Sequence, residues 1–142
     1  MNLPSLFPLI AADPSVTAFI GTSPVRFYPH GTAPQGVVAP YLTQFASTIL
    51  PINTLDRGAA RADSTLVQVS CWSDNGGDAV DELRDLAAAA RRCIERAHHV
   101  EAVRDMRKDI ETGRYRIDFD VRVFVHREDD ASSSDSISSS ST

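Results

Sequence analysis

The segment from Tyr115 to Val125 constrains this chain more than any other. Tyr115, Ile117, Phe119, Val121, Val123 and Val125 recur at every second position without a miss, interleaved with Arg116, Asp118, Asp120 and Arg122. A period of two over that length is a long β-strand with one apolar face, and that face requires a layer to cover it. The charges between are expected on the outer face, paired across strands as exposed surface charges; Asp118 and Asp120 at two-residue spacing are weak candidates for a catalytic dyad. Phe124 breaks the pattern by placing a large apolar side chain on the polar face, and it is the candidate contact surface. Upstream, Glu111-Thr112-Gly113-Arg114 has the composition of a hairpin turn with glycine where a positive φ is needed. Residues 100–110 are ambiguous between helix and strand by their own charges. The turn resolves them as the returning partner through Met106 and Val103.

The covering layer is legible too. Asp74-Asn75-Gly76-Gly77-Asp78 breaks the chain, and Asp78, Asp81 and Glu82 crowd into a first helical turn, where the helix dipole favours negative charge. Val80, Leu83, Leu86, Ala87, Ala90, Ile94 and Ala97 then recur at three- and four-residue intervals, giving one apolar stripe about 28 Å long at 1.5 Å per residue. Arg91, Arg92 and Arg96 near its end read as helix-terminus chemistry rather than a phosphate patch, since no aromatic residue is interleaved with them. His98-His99 reads as a capping and surface pair. Before this helix, residues 65–73 and 41–47 carry strand patterns, with both faces of the second half-buried, and a brief strand fits residues 25–28. Two short helices are expected at the start: Leu3 to Ala12, then one opened by Asp13-Pro14 and ended by Gly21. The fold class implied is α+β, a mostly antiparallel sheet with one long helix and short N-terminal helices packed on one face.

At 142 residues and 42% hydrophobic content, one domain with a real core is expected. We divide the chain into a body, residues 1–127, and an acidic Ser-rich tail, 128–142. The formal net charge is −5, but Glu128, Asp129, Asp130 and Asp135 belong to the tail, so the body is close to neutral and lacks the footprint of a dedicated nucleic-acid binder. The tail holds one apolar residue, Ile137. Alone it cannot bury enough surface to offset ordering entropy, and an assembly is the simplest thing that would hold it. No stretch approaches the ~20 apolar residues of a membrane span, and the N-terminus lacks a signal's basic flank. A soluble protein made in the cytoplasm is the expectation.

Chemistry is not evident. Cys71 lies in a strand pattern and Cys93 in a helical one, with no CxxC and no clustered histidines, so both are expected to be buried free thiols. There is no phosphate loop, nucleophile elbow or HExxH, which leaves no catalytic, cofactor-binding or metal-ligating residue to name. Residues 48–64 show no steady period and read as a long excursion between strands. Arg57 and Arg61 make this loop a candidate subunit-interface or channel segment; an ordinary mobile loop has the same features.

The order of the pieces is also informative. DPSVTAFIG, VRFYP, PYLTQF, a loop containing NTL, TLVQVSCWS leading into a long helix, and a closing ETGRYRIDFDVRVFV follow one another across about Leu3 to His126. That order resembles the tail completion family of long-tailed bacteriophages, also called tail terminator or tail-to-head joining proteins; the order, rather than any single motif, carries the resemblance. The Ser-rich tail and the Ala/Arg part of the 48–64 segment depart from it. The resemblance implies a non-catalytic virion subunit, assembled in the host cytoplasm, that forms a homo-hexameric ring on the head-proximal end of the tail tube. Such a ring ends tube polymerisation and contacts the tail tube protein and a neck or connector protein, while DNA passes through without specific binding. A head completion or connector protein is the competing reading, and a non-viral cytosolic binding module a third.

Overall fold

In a computed structural model, residues 4–29, 33–52, 62–74 and 78–126 are described. The chain runs α1 (Phe7–Ala11), α2 (Pro14–Ile20), β1 (Phe27–Tyr28), β2 (Tyr41–Ile52), β3 (Ala62–Trp72), α3 (Ala79–Glu95), β4 (His99–Lys108) and β5 (Tyr115–His126). The five strands form one sheet in the order β1-β2-β3-β5-β4, antiparallel except where β1 joins β2. Helix α3 carries the chain over β5 to the far edge, so β3 and β4 run the same way with β5 between them. The expected α+β architecture is what the molecule has.

The core lies between α3 and one face of the sheet. Leu83, Leu86, Ala90 and Ile94 of the helix meet Val67, Val69, Cys71, Ile117, Phe119, Val121 and Val123. Phe119 is 1% exposed, and burying a side chain of that size contributes about 2–3 kcal/mol. Ile10, Val16 and Ile20 join the same cluster, so the short helices, too short to persist alone, are held by packing beside α3. Asp13 caps α2, accepting from the Ser15 backbone N at 2.9 Å and from Ser15 Oγ at 2.6 Å. Both cysteines are buried free thiols.

Three expectations need correction. The first helix begins at Phe7 rather than Leu3, because the Gln44 amide takes the preceding backbone, accepting from Leu6 N and donating to the Pro4 carbonyl, each at 2.8 Å. Nearly half of the supposed excursion at 48–64, residues 48–52 and 62–64, is strand: β2 and β3 stay paired out to Ile52 opposite Ala62. Only residues 53–61 connect them. A β-bulge between Ala46 and Thr48 shifts the side-chain alternation, so the second half of β2 does not continue the period of the first. Finally, Asp118 is not exposed; its side chain is 1% accessible. Arg57 and Arg61 lie outside the described residues, as does the tail with Ile137.

Candidate interaction surface

The face of the sheet turned away from the helices is built in rows by strand register. At the end near the start of α3, Tyr41 lies opposite Trp72, and Trp72 opposite Arg116. The Tyr41 and Trp72 rings stack, centroids 5.9 Å apart and planes at 10°. Arg116 lies over Trp72 at 5.2 Å and Arg114 over Tyr41 at 5.4 Å, cations on aromatic faces. The indole N–H donates to Thr43 Oγ1 at 3.0 Å, so this large side chain keeps its polar atom satisfied.

The next rows are ionic. Asp118 accepts from Ser70 Oγ at 2.7 Å and pairs with Arg107 at 2.6 Å, both close enough to satisfy its buried oxygens. Arg116 Nε sits 3.5 Å from the same carboxylate, near enough for attraction but misaligned for a hydrogen bond. Arg104 pairs with Asp120 at 2.6 Å. Arg122 grips Glu101 through two nitrogens at 2.8 and 3.2 Å and donates to Ser64 Oγ at 2.9 Å. This contact holds the Glu101 carboxyl below its usual range and raises Arg122. No two of these carboxylates stand free to share a proton, and acid-base chemistry has no purchase here.

Beyond Arg122 the face changes character. Leu50, Ser64 and Phe124 form the next row, and Phe124 is 61% exposed, Leu50 51% and Phe45, two rows back, 54%. Leu50 and Phe124 stand uncovered at this end of the face, and Phe45, in the row of Gln68 and Asp120, is uncovered on the same face. The sequence flagged Phe124; it missed Leu50, because the bulge hides which face Leu50 occupies. The connection that carries Arg57 and Arg61 departs from this same end, after Ile52 and before Ala62.

Other expected features fall where their plain readings put them. Arg91 pairs with Glu95 at 3.1 Å, and Arg96 reaches back to Asp13. Asp13 is held below the usual carboxylate range chiefly by the Ser15 hydroxyl, with Arg96 adding to it. Burial pushes the Cys71 thiol well up, and Cys93 is raised to about 11 by burial and by Asp13, so neither is a reactive thiolate. A shallow cavity of about 160 Å³ between α3 and β4 is floored by Ala87, Val103, Ile117 and Phe119. Arg84, Arg91 and Asp105 line it as well. Among the described residues no group of three or more His, Cys, Asp or Glu could hold a metal ion, and no helix is long and apolar enough to cross a membrane.

Comparison with known proteins adds to this geometry. No curated protein matches the chain. In the virion of a native gene transfer agent particle, a chain of known structure shares the fold with a TM-score of 0.57 at 18% identity, covering 86% of this chain and 92% of that one. The family described as Tail completion protein gp17, structural rather than enzymatic, matches residues 4–126, the whole of the α+β body. The chain therefore belongs to the tail completion protein gp17 family.

Proposed function

We propose that this subunit closes the head-proximal end of a tail tube as a homo-hexameric ring, stops tube polymerisation there and joins the tail to the neck. The observation that carries the reading is the family match across residues 4–126. The apolar end of the outer sheet face, with Phe45, Leu50 and Phe124, is the surface offered to the tail tube protein or the neck protein. DNA passes through the ring unbound, at the tail–neck junction of the virion. The near-neutral body suits that passage, because each phosphate contact would add affinity and drag. Within this reading the body ends near residue 127, and residues 53–61, with Arg57 and Arg61, contact a neighbouring subunit or line the channel.

The test is a tail-assembly reaction with purified tube protein. With the full chain present, tubes should stop growing and carry a cap of six subunits at one end, visible by electron microscopy. Tubes of unaltered length without a cap would refute the terminator role; a subunit that binds only isolated connectors would point to a head-completion role. Removing residues 54–60 should weaken ring assembly, and unchanged rings and tail lengths would refute the role given to that connection.

A further inference from the structure

The two edges of the sheet are built differently. On one side β4 carries Glu101, Arg104, Asp105, Arg107 and Lys108 and two irregularities, between Val100 and Ala102 and between Arg104 and Arg107. Charges and bulges are how an edge strand avoids indiscriminate pairing. On the other side β1 covers β2 only at Leu42 and Thr43. From Gln44 to Ile52, QFASTILPI, no strand among the described residues pairs with that edge of β2, and the segment holds no charge.

The backbone of this segment is set for pairing. Leu42 N donates outward to the Arg26 carbonyl, and a strand repeats every two residues, so Gln44 and Ala46 also turn their N–H and C=O outward. Past the bulge the phase moves by one residue and Ile49 takes that position, followed by Pro51. The missing N–H of Pro51 therefore falls on the open edge and leaves the ladder to β3 intact. Directions matter as well. β2 and β5 run one way, β3 and β4 the other, so a copy placed beside β4 by rotation about a ring axis brings its own β2 antiparallel to β4. Head-to-tail repetition continues the alternation without a break, and a contact between two different edges is what a closed ring requires. Charge compatibility favours the same pairing: an uncharged edge meets a mixed-charge one, whereas two β4 edges would bring their own charges together.

We propose that subunits join by pairing the open edge of β2, residues 44–50, with β4 of the neighbouring copy. This rests on the ring reading above and assigns its interface. The neighbour's strand also runs alongside the Phe45 and Leu50 side chains, which the isolated subunit leaves more than half exposed.

The experiment is hydrogen exchange with native mass measurement on the full chain, as dilute subunit and as ring. In the ring, amides of residues 44–50 and 99–108 should exchange at least about tenfold more slowly than in the subunit. Ile49→Pro removes an outward N–H while sparing the β3 ladder; it should give a folded subunit by circular dichroism that no longer forms rings. Rings whose two edge segments exchange as fast as in the subunit would overturn the edge assignment and leave the ring reading standing. Absence of any ring, alone or with tail tubes, would overturn the ring reading itself. Dimers protected at β2 but not β4 would overturn β4 as the partner.

Discussion

Asp118 shows how far a single residue can depart from its sequence context. It sits in an alternating row of charges, yet register places it opposite Ser70 and beneath Arg107 and Arg116. Asp118→Ala should destabilise the fold by about 2–3 kcal/mol, below the 3–5 of a fully buried pair because both arginines are partly exposed; urea denaturation measures it. Asp120→Ala, removing a more accessible pair with Arg104, should lose about 1 kcal/mol or less. Asp13→Ala removes the α2 cap and should lose about 1–2 kcal/mol. Its carboxyl titrates below the ordinary 3.8 in the folded chain. The unfolded chain therefore takes up the proton first on acidification, and Asp13's stabilisation, complete above that value, is lost as pH falls through its folded pKa. His98, lowered from 6.5 by burial, acts in the same direction at milder pH. Its contribution is present above 6.5 and declines below it, so the urea midpoint should fall between pH 7.5 and pH 5.5, and fall less in His98→Gln.

Among the elements, β2 is where local pattern and tertiary structure diverge most. Its first half alternates cleanly, and a bulge at residue 47 then inverts which side chains face the core. Period counting finds one strand and loses the other half. The link from α2 to β1 is equally specific. Gly21 has φ +85, and a Cβ there would stand 3.0 Å from Arg26 Nη1 and 3.2 Å from the Pro24 carbonyl. Arg26 in turn donates to the carbonyls of Phe19 and Pro40, tying the end of α2 to the start of β2. Gly21→Ala should lower stability by about 1–2 kcal/mol, from the left-handed backbone and the displaced arginine together. A thermal melt unchanged from the parent chain would contradict that account.

For the whole molecule, stability and the proposed docking role separate by face. The helix side of the sheet holds the core, and the outer side holds the ion pairs together with the uncovered Phe45, Leu50 and Phe124. Phe124→Ser should leave subunit stability within about 0.5 kcal/mol, since the side chain contacts mainly solvent, while impairing tail capping in the assembly reaction. Equal capping by the variant would remove Phe124 from the docking surface. Phe119→Ala, on the opposite face of the same strand, should do the reverse and lower stability by about 3–5 kcal/mol.

Local periodicity was enough to establish the α+β class, the long helix with its buried stripe, the strand β5 and the exposed position of Phe124, and the turn at 111–114 added the β4–β5 hairpin. Those properties depend on neighbours two to four residues apart, which a single chain displays directly. The family was legible in the order of the segments. What only the tertiary structure decided depends on partners far apart in sequence. The insertion of β5 between β3 and β4 sets the rows of the outer face, the bulge in β2 brings Leu50 beside Ser64 and Phe124, and the side chain of Gln44 ends the first helix early. Strand order and register are chosen by how the whole sheet closes over α3, so no window of sequence carries them. Among the described residues, the same register leaves one edge of β2 open from Gln44 onward.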